Sequence, residues 1–280
     1  MTKTVFIDGE AGTTGLGIRE RLAGMEGVEV RSIEPALRKD VGARRAMMEE
    51  VDLVVLCLPD VAARESAALA AGLGDQAPKV LDASTAHRTD PVWAYGFAEM
   101  APGQAAVIAG SARVANPGCY PTGGIALLLP LVAAGLLPRD YPLTINAVSG
   151  YSGGGRAMIE THEVAGGPAL ELYGLGLEHK HVPEIQRYVG LERRPVFVPS
   201  VAHVRQGMLV SVPLHLDMLT GRRRCGFWRR RGGWRYPLRM VRTSWSCACP
   251  GMMHTGRRCW WRGWTIWARG RLGLRCRTCG

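Results

Sequence analysis

The stretch that most restricts the fold opens the chain: "KTVFIDGEAGTTGLGIRERL" (Lys3–Leu22). The near-continuous apolar run from Lys3 to Asp8 predicts a strand buried on both faces. Glycines at Gly9, Gly12 and Gly15 follow at once, and Ile18, Leu22 and Met25 then recur at helical spacing. A buried strand that turns through glycine into a helix is the opening unit of a parallel sheet, because parallel strands need a crossover between them. The alternation continues. "VEVRSI" (Val28–Ile33), "VDLVVLCLP" (Val51–Pro59) and "KVLDAS" (Lys79–Ser84) predict further strands, with helical segments around Ala43–Glu50 and Val61–Gly72 between them. Residues 1–117 are therefore expected to form a doubly wound, Rossmann-like α/β domain. After Cys119 the pattern changes to a helix around Tyr120–Leu137, a strand "LTINAVSG", a Gly-rich loop, a His-bearing segment and an alternating strand "GMLVSVPLHL". Residues 118–219 are expected to form a second, α+β domain that carries the reactive groups.

The spacing G-x-x-G-x-x-G between a strand and a helix suits a dinucleotide. Glycines let the backbone approach a pyrophosphate, and the N–H groups at the helix start hold it. Thr13 and Thr14 add hydroxyl donors. The alternative is a plain structural turn. Glu34, about twenty residues on, would bind a ribose hydroxyl and favour NAD. Arg31, Arg38 and Lys39 surround the same place and would accept a 2′-phosphate, so the expectation leans to NADP(H).

"NPGCYPTGG" (Asn116–Gly124) sets one cysteine between turn formers and the start of an apolar run. At a helix N-terminus the dipole and free N–H groups favour the thiolate, which predicts a lowered pKa and a nucleophile that attacks carbonyls. The bland reading, a small buried hydrophobe, fits Cys57 inside "VVLCLP" better than it fits Cys119. Cys57 and Cys119 are the two cysteines before Thr220, thiol usage that suits a reducing compartment rather than a disulfide framework. The N-terminus shows no leader pattern, and "GGIALLLPLVAAGLL" is too short to span a bilayer, so a soluble cytoplasmic protein is expected.

"NPGCYPT" together with "FIDGEAGTTG" resembles the short-chain type of N-acetyl-γ-glutamyl-phosphate reductase, over Met1 to about Leu219. The related aspartate-semialdehyde dehydrogenases carry their cysteine in a shorter Asn-Cys-Thr setting, so the Gly118–Thr122 run favours the reductase. The resemblance implies NADPH-dependent reduction of N-acetyl-γ-glutamyl phosphate to the semialdehyde and phosphate through a Cys119 thioester, a step of arginine synthesis. It also implies a homo-oligomer, dimer or tetramer. "LEHKHVPEI" matches the family's His-x-His followed by Pro-Glu. His179 and His181 alternate, which points both the same way in an extended segment. His179 is expected as general acid/base, His181 second, with Glu184 orienting an imidazole or binding substrate. Nothing near them completes a zinc ligand set, so no metal is expected. The substrate has an acyl phosphate and a carboxylate, which asks for cationic clamps. Arg88 in "LDASTAHR" and Arg205 in "VAHVRQGM" are assigned to them, with Asn116 beside the cysteine. Ser84 is assigned to the cofactor, as are Ser152, Gly153 and Gly154 of "SGYSGGGR", since the corresponding loop of the family faces it.

The last sixty residues differ in kind. All 24 acidic residues lie before Thr220, where 19 cations leave a net charge of −5, whereas the remainder carries sixteen arginines and no acid. Seven of the 8 Trp and six of the 8 Cys also fall there. A nucleic-acid surface would use such Arg and Trp, and Cys276–Cys279 has metal-ligand spacing without a matching pair. Out-of-frame translation of a GC-rich gene explains the composition more fully. Codons for "WTIWARG" (Trp264–Gly270), regrouped by one base, can spell Leu-Asp-Asn-Leu-Gly-Lys-Gly, which is similar to a segment near the family's C-terminus. Residues 220–280 are expected to be an aberrant, poorly ordered tail, and no nucleic-acid partner is expected.

Overall fold

The computed structural model describes residues 2–220 and two short paired strands, Ser244–Trp245 and Trp261–Arg262. The expectations about the tail, its reading frame, its cysteines and its order included, concern residues that otherwise lie outside the described ones.

The first 115 residues build a six-stranded sheet of β1 (Lys3–Asp8), β2 (Val28–Arg31), β3 (Leu53–Leu56), β4 (Lys79–Asp82), β5 (Ala94–Tyr95) and β6 (Arg113–Ala115). Their order is β2-β1-β3-β4-β6-β5, with every pair parallel. Helices α1 (Thr13–Ala23), α2 (Val41–Glu49) and α3 (Asp60–Ala71) cross between the strands, and α4 (Gln104–Gly110) precedes β6. Phe6, Met48, Val54, Leu56, Ala63, Val80 and Trp93 fill the core of this unit. The chain winds out from β1 to β2, then returns to β3 on the other side, so the switch point lies at β1.

The register fixes where a ligand must go. Asp8, Leu56, Asp82 and Ala115 pair in one row across β1, β3, β4 and β6. The glycine loop, Cys57, the Ala83–Arg88 segment and the Asn116–Cys119 turn therefore all leave from one carboxyl edge, where open α/β sheets bind their ligands.

Helix α5 (Cys119–Ala133) then leads to a four-stranded sheet of β7 (Thr144–Gly150), β8 (Leu170–Leu172), β9 (Val196–Ala202) and β10 (Met208–Ser211), ordered β10-β7-β9-β8. β7 and β9 are parallel and the other pairs antiparallel. Helix α6 (Arg156–Glu163) follows β7, and α5 and α7 (Val182–Val189) cover one face, burying Ile125, Leu128, Ile145, Ile185, Phe197 and Val210. Tyr95 and Phe97 from the first unit enter this same core.

Several expected elements are shorter. Met25 lies beyond the end of α1 and is exposed, β2 stops at Arg31, and "GMLVSVPLHL" is strand only through Ser211. Among the described residues no helix is long and apolar enough to cross a membrane.

Candidate active site

Cys119 is the first residue of α5. Gly118 caps the helix with φ −64° and ψ 147° and offers no side chain to the first N–H groups. Those of Cys119 and Tyr120 bond the sulfur and pull its pKa down, as does the nearby Arg88 guanidinium. Burial outweighs them and pushes the thiol up, which reverses the sequence expectation of a lowered pKa. The half-buried Cys119 is thus held as a thiol that needs a base. Cys57 is pushed up to about 12, chiefly by burial and then by Asp8 and Asp82.

The histidines meet Cys119's neighbour. His179 and His181 both pack edge-on against the Tyr120 ring, with centroids 6.1 and 5.7 Å away, and lie 4.7 Å from each other. They do so from a turn and not from the extended segment expected. His181 caps α7 with helical φ and ψ, and its backbone N–H donates to His179 Nδ1 at 3.2 Å. That bond leaves the neutral His179 ring with its proton on Nε2. His181 Nδ1 is buried without a hydrogen-bond partner. Burial and then Lys180 lower the His179 pKa, and burial, Arg88 and His179 take His181 to about 2. Both rings are uncharged at neutral pH.

Glu184 and Arg88 form a buried frame behind the cysteine. Glu184 Oε1 accepts from the Gly118 N–H at 2.6 Å and from Tyr95 Oη at 2.5 Å. Arg88 Nη1 reaches Glu184 Oε2 at 3.4 Å, Nε donates to the Asn116 carbonyl at 2.9 Å and Nη2 to that of Ala83 at 3.2 Å. Burial raises the Glu184 pKa, opposed by Arg88, Tyr95 and the Gly118 N–H. Every guanidinium nitrogen of Arg88 is engaged within the protein and the side chain is 9% exposed, which does not fit a free substrate clamp. Nor does Glu184, 1% exposed, hydrogen-bond an imidazole. Both hold the turn that carries Cys119. Asn116 has an exposed side chain whose amide donates to the Pro117 carbonyl, and its backbone N–H bonds Asp82.

The remaining assigned residues lie in three loops. Gly9 adopts φ +90°, and a Cβ there would run into the Cys57 carbonyl, so only glycine fits. The Gly12 N–H bonds the Gly9 carbonyl, Gly15 is buried, and Thr13 and Thr14 open α1 exposed, with no capping side chain and no acid in the first turn. Such a helix start fits a pyrophosphate. Arg31 is paired with Glu29 at 3.3 Å and Glu50 at 3.1 Å, so it does not stand free. Ser84 Oγ donates to Asp82 at 2.8 Å, beside the His87–Asp82 contact at 2.6 Å. Ser152, Gly153 and Gly154 form a single 3-10 turn after β7, where the Ser152 N–H bonds the Arg205 carbonyl. Arg205 is exposed and ion-paired with Glu163. Among the described residues no three His, Cys, Asp or Glu side chains form a metal cluster.

Sequence reasoning missed the tyrosines. Tyr120 Oη donates to Ser149 Oγ at 2.9 Å and receives Tyr173 Oη at 3.2 Å. Tyr95 lies 89 residues from Glu184 in a segment without periodicity.

The Rossmann-like sheet, the mixed sheet behind α5 and a cysteine at their junction are the architecture that the comparisons find in semialdehyde dehydrogenases. Residues 119–225 match the family described as semialdehyde dehydrogenase, dimerisation domain. An aspartate semialdehyde dehydrogenase from Francisella tularensis is similar in fold, with a TM-score of 0.53 over 76% of this chain and 77% of that one at 11% identity. One from Candida albicans, solved with NADP, has a TM-score of 0.50 over 76% of this chain and 71% of that one at 15% identity. In sequence, N-acetyl-gamma-glutamyl-phosphate reductase 2 of Pseudomonas putida is 55% identical over 223 residues, 79% of this chain and 70% of that protein. The chain belongs to the N-acetyl-γ-glutamyl-phosphate reductase family.

Proposed function

We propose that the chain reduces N-acetyl-γ-glutamyl phosphate to N-acetylglutamate semialdehyde and phosphate, using NADPH. The observation that carries this reading is Cys119 at the start of α5 with two uncharged imidazoles against the adjoining Tyr120 ring. Sulfur attacks the acyl carbon, its proton passes to the imidazole pair, and phosphate leaves to give a Cys119 thioester. His179, the less buried of the two rings, is read as the general acid/base that exchanges the proton, and burial holds His181 uncharged beside it. Burial keeps either ring from holding a charge for long, so the proton is in transit to the leaving phosphate. The first N–H groups of α5 stabilise the thiolate and the oxyanion that follows, worth roughly 3–4 kcal/mol in comparable sites. Gly9, Gly12 and the N–H groups of Thr13 and Thr14 would hold the dinucleotide, whose reduced nicotinamide supplies the hydride that takes the thioester to the aldehyde level. Ser84 and the Ser152–Gly154 turn are read as its further contacts, and Arg205 as the remaining cation for the substrate.

We read the chain as a cytoplasmic homo-oligomer. The face of the mixed sheet turned away from α5 and α7 carries a row of Leu209, Val148, Ser200 and Leu172 across all four strands, with Leu170 beside it. Leu209, Leu172 and Leu170 are each more than half exposed, which suits the same face of a second copy. The test is phosphate-dependent NADP reduction by the 280-residue chain supplied with N-acetylglutamate semialdehyde. Turnover is expected, and Cys119→Ser should lower kcat at least about a thousandfold. A wild-type chain without turnover, or an active serine variant, refutes the reading.

A further inference from the structure

Three side chains from distant parts of the chain meet behind the Gly118 peptide. Glu184 from α7 takes the Gly118 N–H, Tyr95 from β5 takes the same carboxylate oxygen, and Arg88 holds the other. Tyr95 is itself fixed, stacked on Tyr188 with ring centroids 3.8 Å apart, while Tyr188 Oη donates to the Arg88 carbonyl at 2.6 Å. Gly118 stands so close that a Cβ on it would lie 2.8 Å from both Arg88 Nη1 and Glu184 Oε2, and 2.9 Å from His181 Cδ2. The frame therefore touches the peptide before the nucleophile on one side and an imidazole on the other. The residue that closes it, Tyr95, reaches neither the thiol nor open solvent.

We propose that Tyr95 is a positioning residue for the reaction: by clamping the Glu184 carboxylate it fixes the Gly118–Cys119 turn, and so sets the aim of the sulfur and the N–H groups around it. This rests on the proposed function for its substrate but not for its thiol. A residue that only fills the core acts on stability. One that binds substrate acts on KM. A residue that aims the nucleophile acts on kcat and on the reactivity of the thiol.

Tyr95→Phe keeps the stack on Tyr188 and removes only the hydroxyl. The alkylation rate of Cys119 by iodoacetamide, followed against pH by mass spectrometry of its own peptide, needs no substrate and separates it from the other cysteines. In Tyr95→Phe its midpoint should move to higher pH by about half a unit, because the carboxylate beside the sulfur is less neutralised and the N–H groups are less well held. In Glu184→Gln it should move to lower pH, since a negative charge near the sulfur is gone and Arg88 is left unopposed. With substrate, Tyr95→Phe should lower kcat about tenfold and leave KM within about twofold. Alkylation profiles that coincide with the wild type in both variants overturn the proposal, as does a raised KM at unchanged kcat. Shifted alkylation profiles in a chain that turns over no substrate would uphold the positioning role and refute the substrate.

Discussion

Gly118→Ala isolates how tightly the turn before Cys119 is held. The backbone there, φ −64° and ψ 147°, is one any residue adopts, so the change carries no dihedral strain. Its effect comes from contact. The new methyl would meet Arg88 Nη1 and Glu184 Oε2 at 2.8 Å and His181 Cδ2 at 2.9 Å, where ordinary contact begins at 3.4 Å. All three must retreat by roughly half an ångström, and none is the loose end of a solvated chain. Overpacking of this kind costs about 1–3 kcal/mol, a fall of some 2–4 °C in melting temperature for each kcal/mol in a domain of this size. The retreat also pulls Glu184 from the Gly118 N–H and moves His181, so kcat should drop by about tenfold or more. Gly110→Ala is the matched control. It sits at the end of α4 with nothing within 4 Å of a new Cβ, and the same substitution there should raise stability by about 0.5 kcal/mol. Thermal melts and steady-state kinetics on both variants decide the matter. If Gly118→Ala melts and turns over like the wild type, the frame around Cys119 is not the constraint described.

Other consequences follow from burial and charge. His181 titrates near 2 when folded and near 6.5 when unfolded, so the unfolded chain binds the extra proton between those values. Stability should fall as pH drops below about 6.5, approaching 1.4 kcal/mol per pH unit from this one group; a denaturation series that is equally steep for His181→Asn refutes it. Arg44→Leu leaves the buried Asp8, held by Arg44 Nη2 at 2.6 Å and Ser66 Oγ at 2.6 Å, without its cation. A loss of about 3–5 kcal/mol is expected in urea unfolding, and a change under 1 kcal/mol would show that Asp8 finds another partner. Leu172→Lys with Leu209→Lys puts charge on the open sheet face and should halve the mass seen by light scattering, whereas an unchanged mass excludes that face as the subunit contact.

The sequence by itself determined the first four strands of the parallel sheet and singled out Cys119 as the proposed nucleophile. Strand and helix periods are local, and Val5–Ile7, Val54–Leu56 and Val80 repeat the apolar run of a strand covered on both faces. Gly9 was legible because a positive φ directly after a strand can be met without strain only by glycine, and Cys119 because turn formers do not surround core filler. Local signals failed for β9, where Pro199 interrupts the alternation in a strand flanked on both sides, and for α7, where two histidines masked the apolar spacing of Val182, Ile185 and Val189. What only the tertiary structure decided was the use of the charged groups. From sequence, Arg88 read as a substrate clamp, since an acyl phosphate and a carboxylate ask for cations, and Glu184 as orienting an imidazole or binding substrate. Folding brings them 96 residues to each other and 66 residues from Glu184 to the Gly118 N–H, and burial makes pairing obligatory. The same burial turned the thiol pKa from the lowered value that a helix start suggests to a raised one, because desolvation depends on everything that surrounds a group and a helix dipole only on its own turn.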